Sequence, residues 1–210
     1  EEQRRKWLPR AARGEFLAAA SLSEPAAGSD LAAISCRARR DGDEWVINGA
    51  KYWCTFADGA DYLLLFARTG ESPDAKRRHL GISAFIIEKP RGELPPGCSG
   101  NPIPKIGYFG WKTYELAFDD CRIPADCLIG EQGKAFYIMA GGLEVARAHT
   151  AARSVGLARA ALEDSLVYAQ QREQFGQPIG AFQAVRFKLA TMATEVEAAR
   201  QLLYYVCNEI

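Results

Sequence analysis

The chain has 210 residues, 48% hydrophobic and 25% charged, a composition that allows a sizeable core and argues against general disorder. Lys plus Arg and Asp plus Glu each number 26, so nucleic acid as the main partner, which needs a basic surplus on one face, gains no support. No apolar run approaches the ~20 residues of a membrane span, and six cysteines without a CxxC, beside only His79 and His149, give no zinc spacing.

In chain order, the first residues read as the end of a helix. Short strands follow. Residues 34–40 and 44–47 flank Asp41-Gly42, a hairpin signal because both residues tolerate positive φ. Asn48-Gly49 reads as a second turn, after which residues 51–55 continue extended. Residues 62–68 and 82–88 are apolar and aromatic, bounded by Gly, Pro and charge, and a last strand covers 114–118, before Arg122-Ile123-Pro124. The Pro- and Gly-rich residues 90–110 read as a connection. Such spacing suggests an antiparallel sandwich or barrel. The basic clusters at 37–40 and 76–78 read as solvated loops, and the cysteines as unpaired thiols of a reducing compartment.

The composition changes near Gly130, before which lie nine of the ten prolines. Residues 134–171 contain no proline and carry Phe136, Met139, Leu143, Val155, Leu162 and Leu166 at helical spacing. Gly176 and Pro178 supply a stop and a restart. Phe182, Val185, Leu189, Met192, Val196, Ala199, Leu203 and Val206 then follow in steps of three and four, one continuous apolar face on a long helix. This helix runs uncapped to Ile210 as though cut, and neither helix has enough partner surface within the chain. The expected class is α+β: an antiparallel barrel or sandwich, followed by long antiparallel helices of a bundle.

The chain has no GxGxxG, no GxxxxGK[S/T] and no GxSxG, so Rossmann, P-loop and serine-hydrolase chemistry lack their signatures. Four segments in order resemble one family. Ser21-Leu22-Ser23-Glu24-Pro25-Ala26-Ala27-Gly28-Ser29-Asp30 resembles the acyl-CoA dehydrogenase signature Leu/Thr-Ser/Thr-Glu-Pro-x-Ala-Gly-Ser-Asp, with Ala26 where Gly is common. Asn48-Gly49-Ala50-Lys51-Tyr52-Trp53-Cys54-Thr55 resembles its Asn-Gly-x-Lys-x-Trp-Ile/Cys-Thr. Leu143-Glu144-Val145-Ala146-Arg147 resembles Leu-Asp/Glu-x-x-Arg. Arg172-Glu173-Gln174-Phe175-Gly176, followed by Ile179, Phe182 and Gln183, resembles the family's Arg-x-Gln/Thr-Phe-Gly corner. The resemblance covers essentially the whole chain.

That resemblance implies an FAD flavoprotein that removes a proton α to an acyl-CoA carbonyl, passes a hydride from the β-carbon to flavin N5, and hands electrons to an electron-transfer flavoprotein. It implies residues 1–17 as the end of an N-terminal helical domain, 18–130 as the middle β-domain and 131–210 as the start of the C-terminal helical domain. Leu22 and Ser23 would hydrogen-bond the polar edge of the flavin. Trp53 and Thr55, on one face of a strand, would cover the ring and bond its pyrimidine side or N5, while Cys54 between them points away and packs. Ser29, Glu144 and Arg147 would meet the acyl-CoA. Arg172, Gln174, Phe175 and Gln183 would reach the FAD of a neighbouring subunit, which implies a homo-oligomer, a tetramer in the family. The rival readings, weighed below these, are a buried core tryptophan for Trp53 and a surface ion pair for Glu144 with Arg147.

The family's carboxylate base lies either in later C-terminal helices or immediately before the arginine, where this chain has Ala146. Glu144 is two residues away, roughly 200° around a helix. The base is therefore expected outside residues 1–210, which alone should not turn over. The alternatives are an acyl-CoA oxidase, which uses oxygen, and a non-catalytic helical assembly module. The expected compartment is a bacterial cytoplasm, or the mitochondrial matrix if the source is eukaryotic.

Overall fold

The structure is a computed structural model and describes residues 1–72 and 74–210. It divides into two compact units, Glu1–Ile138 and Met139–Ile210.

In the first unit, helix α1 (Glu2–Ala12) buries one residue, Trp7, whose ring lies 5.1 Å from Phe16 and 5.0 Å from Tyr62. The strands are β1 (Ala18–Ser21), β2 (Arg37–Asp41), β3 (Glu44–Thr55), β4 (Tyr62–Arg68), β5 (Ile82–Glu88), β6 (Cys98–Pro102), β7 (Thr113–Pro124) and β8 (Leu128–Ile129). They form one sheet in the order β6-β7-β3-β2-β4-β5-β8, with β1 paired to β4. Most neighbours are antiparallel; β1 with β4 and the Arg37–Arg68 pairing of β2 with β4 are parallel. In a flat sheet, β3 and β5, three places apart, would be separated by about 14 Å. The rings of Trp45 on β3 and Phe85 on β5 are 5.3 Å apart, so the sheet curls around its core. That core holds Ile47, Leu63, Leu65, Phe85 and Leu116 together with Cys36, Cys54 and Cys121.

Asp41-Gly42 makes the expected hairpin, with Asp41 paired to Glu44 and Gly42 at φ 61°. Asn48-Gly49 is not a turn. β3 runs through it, and the register with β7 shifts between Ile47 and Gly49. The extra residue of the shift lies on β7, and the chemistry that suits a turn here serves a close approach: Gly49 has φ 138°, and a Cβ on it would sit 2.7 Å from the Cys36 Cα. Residues 90–110 are likewise not wholly a connection, because they contain edge strand β6 paired to β7. Its sequence, Cys-Ser-Gly-Asn-Pro, carries no β-branched residue and no buried face, so nothing in its pattern announces a strand. β7 runs past the expected 114–118 to Pro124.

Helix α2 (Ala135–Gln171) begins at the end of the first unit and forms most of the second, with α3 (Gln183–Glu209). Between them lies a two-residue hairpin, β9 (Glu173–Gln174) with β10 (Gln177–Pro178). Phe175 (φ 51°) and Gly176 (φ 76°) make its turn, both in the left-handed region that tight hairpins need. On α3, Val185, Leu189, Met192 and Val196 are half-buried and Leu203 is buried, whereas Phe187, Leu202, Tyr204 and Tyr205 face solvent. The apolar stripe thus points where its spacing predicts, except for the exposed Ala199 and Val206.

Candidate active site

The segment after β1 is fastened to β3 by a buried lysine. Lys51 is fully buried, and its ammonium donates to the Leu22 carbonyl at 2.9 Å and to Glu24 Oε1 at 2.9 Å. Glu24 in turn accepts from the Ser35 amide at 2.6 Å, the Ser35 hydroxyl at 2.8 Å and the Cys36 amide at 2.9 Å. Burial by itself pushes the Glu24 carboxyl up; the Lys51 charge, the Lys51 hydrogen bond and the two amides outweigh it and hold the carboxyl below its ordinary value. The Tyr52 amide donates to the Ser23 carbonyl at 2.8 Å. Successive carbonyls, Leu22 and Ser23, are therefore both drawn to β3. The Ser23 amide and hydroxyl have no partner among the described residues, and Ser23 is half-buried.

Beyond Lys51 the register of β3 with β7 shifts again, between Lys51 and Cys54, and Trp53 takes φ 63°. The extra residue breaks strict alternation, so Lys51 and Cys54, three apart, both point inward. Trp53 is 55% exposed and Thr55 is also exposed, which rules out the reading of Trp53 as a core tryptophan. The Trp53 ring meets Tyr52 edge-on at 5.0 Å, and the Thr55 hydroxyl lies 3.3 Å from that of Thr113. Cys54 is fully buried in the core, and burial raises its thiol pKa, which disfavours the thiolate. Behind this face Phe56 stacks edge-on against Trp111 at 4.7 Å, on a loop whose Tyr108 and Trp111 carbonyls both accept from the Lys105 ammonium. An open indole, a hydroxyl beside it and a half-buried segment with free donors suit a flat ring with an electron-rich polar edge. An isoalloxazine fits that description.

Ser29 is exposed in the turn after Glu24, where the Glu24 amide bonds the Ala27 carbonyl at 2.8 Å. In the second unit, Glu144 and Arg147 lie on α2 at the rim of an apolar groove that continues along Ala151, Val155, Leu203 and Val206. No ion pair joins the two among the described residues, so they are not the surface pair considered above. Ala146 is exposed and carries only a methyl group. Arg172, Gln174, Phe175 and Gln183 gather at the α2–α3 corner, all exposed, with Phe175 at 94%. The Phe175 ring rests edge-on to Phe182 at 6.2 Å, and the Arg172 carbonyl accepts from the Ile179 amide at 2.8 Å. Leu22, Ser23, Trp53 and Thr55 are thus brought together in one unit, and the corner residues in the other.

The role of Lys51 and Glu24 was not read from the sequence. A strand lysine normally points outward, but Lys51 is four residues on from the buried Ile47 and so falls on the inward face of β3.

Residues 19–121 match the family model for the acyl-CoA dehydrogenase middle domain, and residues 133–210 match that for the acyl-CoA dehydrogenase C-terminal domain. The chain belongs to the acyl-CoA dehydrogenase family. It is 38% identical over 208 residues to the mitochondrial 2-methylacyl-CoA dehydrogenase of Solanum tuberosum, covering 99% of this chain and 49% of that protein. It is 42% identical over 208 residues to an acyl-CoA dehydrogenase of Bacillus subtilis, covering 99% and 53%. The crystal structure of an acyl-CoA dehydrogenase from Geobacillus kaustophilus superposes with a TM-score of 0.91 at 38% identity, over 100% of this chain and 54% of that one. The chain spans about half the length of the curated relatives it matches.

Proposed function

We propose that this chain is the flavin- and thioester-binding part of an FAD-dependent acyl-CoA dehydrogenase whose electrons leave to an electron-transfer flavoprotein. In this reading residues 18–130 form the middle domain, 131–210 begin the C-terminal helical domain, and 1–17 close the N-terminal one. When bound, FAD supplies the acceptor for the hydride lost from the acyl β-carbon.

The residues of the chain bind and orient. Leu22 and Ser23 offer backbone and hydroxyl donors to the polar edge of the ring, where such donors stabilise developing negative charge. Trp53 covers one ring face and keeps water from it, and Thr55 offers its hydroxyl. Ser29, Glu144 and Arg147 hold the acyl-CoA, Arg147 towards the nucleotide end. Arg172, Gln174, Phe175 and Gln183 of a second copy hold the nucleotide half of the flavin, since a guanidinium fork matches phosphate geometry. This makes the assembly a homo-oligomer. Proton removal requires a carboxylate, which the Ala146 methyl cannot replace. The base is assigned outside residues 1–210, in keeping with a chain about half the length of its relatives.

The observation that carries the proposal is the exposed Trp53 and Thr55 face beside a segment with free donors at Ser23. Mixing the purified protein with FAD and separating it by gel filtration tests it. Visible flavin absorption should travel with the protein, and acyl-CoA with a dye should give no turnover by the 210-residue chain. Protein that emerges colourless would count against the flavin site, and dye reduction would count against a base outside the chain.

A further inference from the structure

Leu22 and Ser23 share one peptide unit, in which the Leu22 carbonyl and the Ser23 N–H point in opposite directions because the amide is planar and trans. Whatever grips the carbonyl also aims the N–H. The grip is the Lys51 ammonium at 2.9 Å, itself held at 2.9 Å by a Glu24 carboxylate that three further donors from Ser35 and Cys36 fix in place. Both side chains lie inside the protein, Lys51 at 0% and Glu24 at 4% exposure, where water does not compete for these bonds. The next carbonyl, that of Ser23, is taken by the Tyr52 amide, and the next amide, that of Glu24, by the Ala27 carbonyl. Along this stretch the Ser23 N–H and hydroxyl are left unpaired among the described residues, beside the strand that carries Trp53 two positions after Lys51.

We infer that Lys51 is a positioning residue that fixes the orientation of the Leu22–Ser23 peptide and so aims the Ser23 N–H at the polar edge of the flavin. The inference rests on the flavin reading above. It adds a residue that touches neither cofactor nor substrate, and it gives the buried Glu24–Lys51 pair a use other than stability. A buried ion pair contributes little net stability against well-packed neutral groups of the same size, whereas directional control of a peptide is lost when the ammonium goes.

The test compares the wild type with the double variant Glu24→Gln/Lys51→Met, which removes both buried charges together and keeps side-chain volume, so that no unpaired charge is left inside. FAD affinity, the visible spectrum of the bound flavin and the thermal midpoint are measured on each. A positioning role predicts an FAD dissociation constant raised about tenfold or more, as expected for one misaimed hydrogen bond to a polar ring edge, with a shifted flavin band and a folded protein. An unchanged affinity and spectrum in the folded double variant would overturn the inference and leave the flavin reading standing. No FAD binding by the wild type would remove both. A second measurement needs no variant: amide hydrogen exchange at Ser23 should be fast without FAD and slow with it. The Glu24 amide, already bonded to Ala27, should be slow in both states. A Ser23 amide indifferent to bound FAD would equally overturn the inference.

Discussion

Asn48 and Asp120 hold each other twice across β3 and β7: the Asn48 amide donates to Asp120 Oδ1 at 3.0 Å, and the Asp120 backbone N–H donates to Asn48 Oδ1 at 3.0 Å. Asp120 has φ 45° and lies within the register shift, where β7 carries the extra residue between Phe118 and Cys121. The pair therefore pins the first irregularity of the strand that later presents Trp53. Asn48→Ala should cost about 1–2 kcal/mol, the value of two partly exposed hydrogen bonds. Gly49→Ala should cost more, about 2–4 kcal/mol, because a Cβ there meets backbone in addition to adopting a disfavoured φ. Denaturant melts of both variants check the order; stability equal to wild type for Gly49→Ala would remove the close-approach argument.

Acid should loosen the clasp at Glu24. Its carboxyl is held below the ordinary 4.5, against the upward push of burial, by Lys51 and by the Ser35 and Cys36 amides. A group bound as the anion stabilises the fold fully above its ordinary value and stops doing so as pH falls through the lower, folded one. The thermal midpoint should hold steady above pH 4.5 and fall below it, more steeply in the wild type than in Glu24→Gln/Lys51→Met. Parallel acid limbs in the two proteins would mean that this carboxylate is not the group responsible.

The exposed corner separates binding from folding. Phe175 is 94% exposed and Arg172 is also in solvent. Replacing either by Ala should change stability by no more than about 0.5 kcal/mol, as for other surface sites. If a second copy's corner completes the flavin site, each variant should nevertheless lose flavin. Mixing Arg172→Ala with Trp53→Ala protomers should then recover about a quarter of the flavin sites, since half of random dimers are mixed and each mixed dimer carries one intact site. Absence of recovery on mixing would place face and corner in service of the same copy, or of none.

Much of this fold was legible because single physical demands leave single patterns. The α3 stripe is one: an apolar residue every three or four positions has no other regular use, and Val185, Leu189, Met192, Val196 and Leu203 all turn inward. Asp41-Gly42 is another. Asn48-Gly49 was misread because a hairpin and a close approach between strands ask for the same permissive backbone, and only the partner strands decide between them. β6 escaped notice because an exposed edge strand needs no alternation, and the β9–β10 hairpin because two residues carry no period. At the candidate site, Trp53 and Thr55 were legible as outward-facing by alternation from the buried Cys54. Lys51 was not, since alternation counted back from Cys54 points it outward, and the extra residue of the bulge between them shows only in the pairing with β7.

The central claim is that a flavin ring lies on the face formed by Trp53 and Thr55. Equilibrium dialysis of FAD against the wild type and against Trp53→Ala/Thr55→Val tests it most directly. Trp53 is more than half exposed, so the double variant should fold with nearly unchanged stability. It should bind FAD at least about tenfold more weakly, from the loss of ring contact and one hydrogen bond. Equal FAD affinity in the two proteins would contradict the account.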